Sequence, residues 1–401
     1  MKIWDIGDVA DYLGIQRLSG GRDSFGVICP YCGDRRGKMN FCVRKDGKTM
    51  NVYHCFHCNA SGNILTLYAD LRGLEGPDRC KKAWKQLSRQ MTGSEKKWED
   101  RKESKSEQTG QADEAGLQEK DRVYRFLLKH MQLSQEHRRK LEKRGLGAEQ
   151  IKELHAVSVE GRSRMDGERL ARLVLQCGLQ VRGIPGFFLN RKKNWDIAFP
   201  KDSGILFPVP DEDGLYQALQ IRMDEEKSGR KYLWLSSAGY PHGVSSRSVA
   251  AYFGDMDGEV AVTEGALKAY CAWCFSGKPF IGIPGVGQTA CLESFLQEKE
   301  GSGLRVLECM DMDKWMPVVC DRKERHCLDC ASERKGKVCC HKERKRDNIQ
   351  KGCSRLYRTC GEHRIPCRRG TWHMDQRGLW DGSCKGIDDY LYSCRQKEGA
   401  A

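Results

Sequence analysis

The sequence predicts an α+β protein of several domains, and three patterns support this fold class. Near the N-terminus, the pairs Cys29-x-x-Cys32 and Cys55-x-x-Cys58 flank a segment long enough for a hairpin. A middle region combines helical periodicity with strands that are joined by turn residues. From Gly258 onward, short apolar strands alternate with helices, which is typical of a parallel α/β sheet. We therefore expect a small metal-binding module, a mixed α/β core and a C-terminal parallel α/β domain.

The bulk composition narrows the class of protein. The 401 residues are enough for two or three domains with cores of their own. A net charge of +14 favours a polyanionic partner, because lysine and arginine displace counterions from phosphates. The sequence has no apolar run of membrane-spanning length and no signal peptide, which predicts a cytoplasmic protein without membrane contact. Without a signal peptide, the 21 cysteines indicate reduced thiols and zinc rather than disulfides.

The two Cys-x-x-Cys pairs predict a zinc ribbon. Each pair delivers two thiolates to one face of a tight turn, and two such turns complete a tetrahedral shell. The predicted zinc ligands are Cys29, Cys32, Cys55 and Cys58. Cys42 and His57 lie nearby as spare candidates, although Cys42, which alternates with Phe41 on a predicted strand, fits a small core residue better than a ligand. We expect this module over residues 1–75, closed by an apolar helix at 64–71.

A charged stretch that is poor in apolar residues follows, and it predicts a linker over residues 76–120. Residues 121–257 then form the first part of the core. Their helices include one that begins at Ser134 and stops at Gly145, and two strands are joined by a hairpin at 211–214. Arg138 and Arg139 on that helix suit contacts with a nucleic-acid backbone, although a solvated helix face explains them as well.

Acidic residues follow two strands of the predicted parallel sheet. Glu264 ends the first strand, and Asp311 and Asp313 follow the third. On an extended backbone these aspartates would point to one side, with their Cα atoms roughly 6–7 Å apart. Such carboxylates can share magnesium ions, with Glu264 as a further ligand or proton acceptor. An isolated Asp-x-Asp is more often a solvated turn. Lys268 lies one turn after Glu264, where it either contacts phosphate or is an ordinary solvent-exposed residue of its helix.

Two groups of motifs resemble those of known families. The run Tyr53-His54-Cys55-Phe56, with Ala60-Ser61-Gly62-Asn63 after it, resembles the zinc ribbon of bacterial and phage DNA primases. The segment 133–146 and the loop 185–188 resemble primase-like proteins of mobile elements. Glu264-Gly265, Asp311-x-Asp313 and Asp388-Asp389 together resemble a TOPRIM domain, here over residues 258–395, with a cysteine-rich insertion at 314–384.

The resemblance implies a DNA primase, a nucleotidyltransferase that makes short RNA primers on single-stranded DNA from ribonucleoside triphosphates, in the service of a mobile element. It implies that magnesium or manganese is bound by Glu264, Asp311, Asp313, Asp388 and Asp389, the first three being catalytic. Arg222 and Lys231 resemble the basic strand residues that hold template and nucleotide, although ordinary surface charge explains them too. The sequence ends soon after the last motif, so a replicative helicase is expected only as a partner in trans.

The insertion predicts a second zinc site. It is poor in aliphatic residues and dense in cysteine, so a metal is the expected organiser. Its candidate ligands are Cys327, Cys330, Cys339 and Cys340. The insertion would either bind nucleic acid or have a purely structural role.

Two rival functions remain at this point. A TOPRIM nuclease would use the same carboxylates to activate water, but the N-terminal ribbon disfavours it. A non-catalytic DNA-binding replication protein with a degenerate site is the other, and the intact Glu264, Asp311 and Asp313 disfavour that.

Overall fold

The computed structural model describes residues 4–398, apart from 22, 46–47, 59, 77, 93–112, 226–230 and 321–337. The chain divides into two compact units, Met1–Lys105 and Ser106–Ala401. Within the described ranges, no helix is long and apolar enough to cross a membrane. Cys327 and Cys330, two candidate ligands of the second zinc, lie outside the described residues.

The first unit is a five-stranded antiparallel sheet with helices packed on it. The strands follow one another in the order β1 to β5. Side chains from both helices and strands, among them Val9, Phe41 and Leu67, form its core. The elements are α1 (Ile6–Tyr12), β1 (Arg17–Gly20), β2 (Ser24–Val27), β3 (Met39–Lys45), β4 (Lys48–Cys55), β5 (Ser61–Asn63), α2 (Ile64–Leu71) and α3 (Arg79–Thr92).

Helix α3 corrects the predicted linker. Residues 79–92 fall within the stretch 76–120, yet they form a helix that packs on α2. Ala83 and Leu87 are fully buried in the same core as Leu67. They stand four residues apart, so they share one helix face while the charged residues cover the others. The first module therefore extends past residue 75, because a narrow apolar stripe is enough to dock a charged helix.

The first part of the second unit is a helical layer on an antiparallel sheet. The sheet order is β11-β10-β9-β6, with β7 and β8 as a separate hairpin. The predicted turn at 211–214 joins β9 to β10. The elements are α4 (Leu117–Lys129), α5 (Gln135–Glu142), α6 (Ala148–Glu153), β6 (Val157–Val159), α7 (Gly167–Gln176), β7 (Phe187–Leu189), β8 (Trp195–Ile197), β9 (Gly204–Pro210), β10 (Tyr216–Met223) and β11 (Tyr232–Trp234).

The second part of this unit contains the predicted parallel sheet. The order is β12-β14-β13-β15-β16, in which β12 alone runs antiparallel to its neighbour. The carboxyl ends of the four parallel strands therefore meet at one edge. The elements are β12 (Ala251–Phe253), β13 (Glu259–Glu264), α8 (Ala266–Ser276), β14 (Phe280–Ile283), α9 (Glu293–Glu298), β15 (Arg305–Glu308), α10 (Cys340–Glu362), β16 (Cys367–Arg369) and α11 (Ile387–Glu398).

A close approach between β14 and α8 fixes the start of that helix. A Cβ atom on Gly282 would lie 2.7 Å from the carbonyl oxygen of Gly265 and 2.8 Å from the Cα of Ala266. Gly265 itself has a φ of 92°, a conformation that favours glycine. The turn from β13 into α8 is therefore tight, and it places Lys268 one helical turn after Glu264.

Candidate functional site

The four predicted zinc ligands come together in the first unit. The Sγ atoms of Cys29 and Cys58 are 3.8 Å apart, and those of Cys32 and Cys55 are 3.9 Å apart. All four sulfurs lie within 4.8 Å of one another. Zinc–sulfur bonds of about 2.3 Å in a tetrahedron require sulfurs about 3.8 Å apart. The cluster therefore fits a zinc ion.

Two knuckles at the ends of strands hold these sulfurs. The first follows β2, where the amide of Gly33 donates to the carbonyl of Cys29 at 2.7 Å. The second follows β4, where the amide of Cys55 donates to the carbonyl of Ala60 at 2.8 Å. Of the spare candidates, His57 places Nδ1 3.4 Å from the sulfur of Cys32, whereas Cys42 hydrogen-bonds the carbonyl of Arg44.

An exposed apolar row leads to the second knuckle. Met50 and Val52 of β4, and Phe56 just after it, are 45, 37 and 46% exposed. A register shift against β3, with Asn51 at a φ of 52°, separates Met50 from Val52. The His54 ring lies 4.5 Å from the Phe56 ring. The ribbon thus carries exposed aliphatic groups and, beside the second knuckle, two neighbouring rings.

The predicted acidic residues meet at the carboxyl edge of the parallel sheet. Val262 of β13 pairs with Glu308 of β15, so Glu264 and Asp311 emerge side by side from the two strands. Asp388 lies in the first turn of α11, which packs on α8. Three separate stretches of the chain therefore deliver carboxylates to one place.

The backbone that carries Asp311 and Asp313 is not extended, which corrects the prediction. Strand β15 ends at Glu308, and a 3-10 turn occupies Met312–Trp315. The chain leaves the strand here because Oε1 of Glu308 accepts a hydrogen bond from the amide of Met310 at 2.7 Å. The two carboxylates nevertheless face a common point, since Nζ of Lys385 lies 3.0 Å from Oδ2 of each.

Lysine ammonium groups lie among these carboxylates. Lys268 pairs with Asp311, and Nζ of Lys345 lies 3.0 Å from Oδ2 of Asp313. The carboxylate of Glu264 forms no ion pair or hydrogen bond within the described ranges. Of the residues that the structure describes, only the four ribbon cysteines form a ready group with ligand atoms within 4.8 Å. A divalent cation would therefore take the place of the ammonium groups.

The side chains of this cluster are chemically suited to bind a divalent cation. Both oxygens of Asp313 are buried, and among the described residues neither has a hydrogen-bond partner besides the lysine ion pairs. Carboxylate oxygens are the ligands that magnesium prefers. Asp311 and Asp313 already share one cation, the Lys385 ammonium, so their oxygens point at a place that holds positive charge.

Burial and neighbouring charges shift the pKa values of the carboxylates in this cluster. Burial and the charge of Asp311 raise the pKa of Glu264. Burial acts in the same direction on Asp311, but Lys268 and Lys385 outweigh it and lower the pKa of that carboxyl. Burial also raises the pKa of Asp388. One carboxylate is therefore held ionised by lysines, while two others bind a proton more readily than usual.

Asp388 and Asp389 have different surroundings. Nη2 of Arg144 donates to Oδ2 of Asp388 at 2.7 Å, and Asp388 is 5% exposed. Asp389 is exposed, and its Oδ2 accepts a 3.4 Å hydrogen bond from the amide of Gly386. The structure thus brings Asp388 to the cluster and leaves Asp389 at the helix surface, where it closes the first turn.

The predicted basic residues separate into two groups. Arg222 pairs with Tyr232 across β10 and β11. Burial raises the pKa of Tyr232, while Arg222, Lys268 and Asp388 all act on it as well, so this strand pair borders the cluster. Lys231 is exposed beside Tyr232. Arg138 instead lines a cavity in the helical layer, and Arg139 is exposed on α5.

Sequence reasoning missed a buried ion pair under the acidic turn. Nζ of Lys314 lies 2.7 Å from Oε1 of Glu308, and these side chains are only 2 and 0% exposed. The hydroxyl of Tyr357 donates to Oε2 of Glu308 at 2.6 Å. The pair ties the 3-10 turn to β15 and α10. Glu308, a charged residue directly after the apolar pair Val306-Leu307, could have indicated a buried ion pair here.

The insertion reaches the cluster through α10, which carries both Lys345 and Tyr357. Before it, Val319 pairs with Val338 in an antiparallel bridge. Cys339 is buried, whereas Cys340 is exposed at the first position of α10. The ligand set of a second zinc stays a prediction, since two of its four candidates are outside the described residues.

Comparisons with solved structures find bacterial primases. The zinc-binding and RNA polymerase domains of the Aquifex aeolicus primase are 13% identical, with 99% of this chain and 82% of that chain covered and a TM-score of 0.48. A primase domain from Pseudomonas aeruginosa is 15% identical over 69% of this chain and 78% of its own, with a TM-score of 0.41.

A DnaG primase catalytic domain bound to single-stranded DNA is 15% identical, with 71% of this chain and 97% of that chain covered and a TM-score of 0.33. No family model and no curated protein matches the chain. The structures that this chain resembles are thus DnaG-type primase zinc-binding and catalytic domains.

Proposed function

We propose that this chain is a DnaG-type DNA primase that synthesises short RNA primers on single-stranded DNA, in the service of a mobile element. One observation carries the proposal: a four-cysteine ribbon shares its chain with carboxylates gathered at the carboxyl edge of a parallel sheet. Ligands of open α/β sheets bind at that edge. The motif order that resembles a primase ribbon followed by a TOPRIM domain, residues 258–395, supports the same function.

In the proposed reaction, the 3′-hydroxyl oxygen of one nucleotide bonds to the α-phosphorus of the next, and pyrophosphate leaves. Glu264 is suited to accept the hydroxyl proton, because its pKa is raised and no cation among the described residues pairs with it. Asp311, Asp313 and Asp388 would hold magnesium or manganese, with Asp389 at the margin. The bound metal neutralises charge on the triphosphate. Lys268 and Lys385, released from Asp311, would then reach phosphate oxygens.

The exposed row on β4 is the proposed template platform. Phe56 and His54 offer ring faces on which bases can stack, and stacking tolerates any sequence. Arg222 and Lys231, beside the acidic cluster, would hold the backbone of template or nucleotide, and Arg139 is exposed for a backbone contact on α5. A replicative helicase in trans and a second zinc on Cys327, Cys330, Cys339 and Cys340 belong to the same proposal.

The test is primer synthesis on a single-stranded template with labelled ribonucleotides and magnesium. The native chain should yield template-dependent RNA, and Asp311→Asn should reduce the rate at least ~100-fold, because a lost metal ligand removes several kcal/mol of transition-state stabilisation. The matched control is Asp257→Asn, an exposed aspartate of the same unit that pairs with Lys299 outside the acidic cluster. Equal loss in both variants would refute a role for the acidic cluster.

A further inference from the structure

A cavity outside the acidic cluster lies in the helical layer of the second unit. Its volume is about 420 Å³, which is within the range of small-molecule sites. It is bounded by α4, α5, α6 and the adjoining ends of β6 and β10. The lining residues that the argument uses are Arg125, Lys129, Arg138, Lys152, His155 and Tyr216.

The wall of this cavity is positively charged. Four of its side chains are cationic, and the lining contains no aspartate or glutamate. The side chains of Lys129 and Arg138 form no ion pair or hydrogen bond with any residue that the structure describes. Lys152 has only Glu149 at 3.7 Å, and both of these side chains are largely exposed. Arg125 is paired with Asp121, so the charge that no described acidic residue compensates is that of Lys129 and Arg138, and it favours an anionic ligand.

The floor is apolar and carries one fixed aromatic ring. Arg125 lies 4.0 Å over the ring of Tyr216 and is itself held by Asp121 at 2.8 Å and by the carbonyl of Gly214 at 2.7 Å. The ring is thus immobilised beside aliphatic side chains. Those aliphatic residues are Leu128, Leu133, Ile151, Ala156 and Val157. A surface of this kind suits a planar, weakly polar group.

His155 completes the wall. It follows the C-cap of α6 in the left-handed conformation that commonly ends a helix, with a φ of 51°, and its Nδ1 is hydrogen-bonded to the hydroxyl of Tyr216. Burial and the nearby Arg125 lower the pKa of His155, so its imidazole is neutral and its second nitrogen can bond a ligand.

We propose that this cavity binds a nucleoside polyphosphate at a site separate from the acidic cluster. The base would lie on the apolar floor beside Tyr216, and the phosphates would contact Lys129, Arg138 and Lys152. Inorganic phosphate alone would not contact the apolar floor, and an uncharged nucleoside would not pair with the cationic side chains. A nucleoside polyphosphate does both. The site goes beyond the proposed primer synthesis and does not depend on it. Arg138 then serves a nucleotide rather than the template backbone.

The test measures binding of ATP and GTP by calorimetry to the native full chain, without added magnesium. Under these conditions Lys268 and Lys385 stay paired with Asp311 and Asp313, so these lysines of the acidic cluster are already neutralised. We expect one saturable site, with binding at least ~10-fold weaker in the Lys129→Glu, Lys152→Glu double variant. Arg122→Glu, on the exposed side of α4 and outside the cavity lining, is the matched control and should bind as before. The neutral Lys129→Gln, Lys152→Gln variant guards against misfolding.

Three results would overturn the proposal. These are no binding of either nucleotide, equal affinity in both lysine variants and their parent, or tripolyphosphate binding as tightly as ATP. The last result would show that the apolar floor plays no part. Loss of primer synthesis would not affect this inference, because the binding is measured without metal and the varied lysines lie outside the acidic cluster.

Discussion

Glu264 and Asp311 are neighbouring, partly buried carboxylates, yet their pKa values move in opposite directions. Asp311 is paired with Lys268 and Lys385, whose charges outweigh the cost of burial. Glu264 has no such partner among the described residues, so burial and the charge of Asp311 raise its pKa. Within the proposed reaction this difference favours Glu264 as the proton acceptor, since a proton acceptor works best with a raised pKa.

The ion pair between Lys314 and Glu308 gives a prediction at this scale. Lys314→Met leaves a fully buried carboxylate without its cation, so the free energy of unfolding should fall by about 3–5 kcal/mol. Urea unfolding of the full chain, followed by tryptophan fluorescence, measures this. Lys299→Met removes a much more exposed pair and should cost about 1 kcal/mol or less. Equal effects in the two variants would contradict the account.

A second residue-scale prediction concerns pH. Burial alone would raise the pKa of Asp224, but hydrogen bonds from Lys140 and His137 outweigh it and hold the pKa at about 2. As pH falls, the unfolded chain therefore protonates this group first. The stability difference between the native chain and Asp224→Asn should be complete above pH ~4 and disappear as pH falls toward 2. A difference that does not change with pH in urea titrations would exclude this network as its source.

The residues of the site could be predicted because chemistry restricts them. Thiolate spacing indicated the zinc ligands, and acids at strand ends indicated the acidic cluster. The partners could not be predicted: Arg144 is separated by 244 positions from Asp388, to which it donates. The lysines that approach Asp313 come from α10 and from the segment before α11. Only the fold brings such distant charges together.

At the scale of elements, the four cysteines of the ribbon fit a zinc ion that would link its two knuckles. Cys55→Ser should lower the zinc content of the chain by one equivalent, because a structural zinc needs all four ligands. Metal analysis by mass spectrometry measures this. Cys42→Ser is the matched control, since Cys42 lies on the neighbouring strand but outside the group of four sulfurs. Loss of zinc in the control would show that the ligand set is wrong.

The contact between β14 and α8 gives another prediction. Gly282→Ala forces a methyl group against the backbone of Gly265 and Ala266, so it should destabilise the second unit by about 1–3 kcal/mol. Displacing α8 would also move Lys268. Gly285→Ala, three residues on, meets only a Gln288 side-chain atom at 3.8 Å and should be nearly neutral. Thermal unfolding of the two variants compares them directly.

The periodicity of the sequence predicted which helices and strands form better than it predicted where they begin and end. Alternating strands and helices gave the parallel sheet, and Ser134 began α5 as expected, with its hydroxyl accepting from the amide of His137. Helix α3 was missed because its apolar stripe is narrow among charges. The turn at Asp311 was misjudged because the Glu308 side chain accepts a hydrogen bond from the amide of Met310 at the end of the strand, which local propensity does not indicate.

At the scale of the whole molecule, the two units divide the proposed work. One carries the thiolate cluster and an exposed apolar row on β4, and the other carries the acidic cluster and a cationic cavity. The net charge of +14 is distributed over a chain whose proposed template, substrates and product are all polyanions. The proposed function therefore requires both units on one template.

The fate of labelled nucleic acid in one reaction tests the central claim most directly. The native chain is incubated with magnesium, ribonucleoside triphosphates and an end-labelled single-stranded template. Both the template and any RNA product are then analysed. The account predicts new RNA that depends on the template and disappears in Asp311→Asn and in Cys55→Ser, with the template intact. Shortening of the template without RNA, lost in Asp311→Asn, would contradict it and identify the acidic cluster as that of a nuclease.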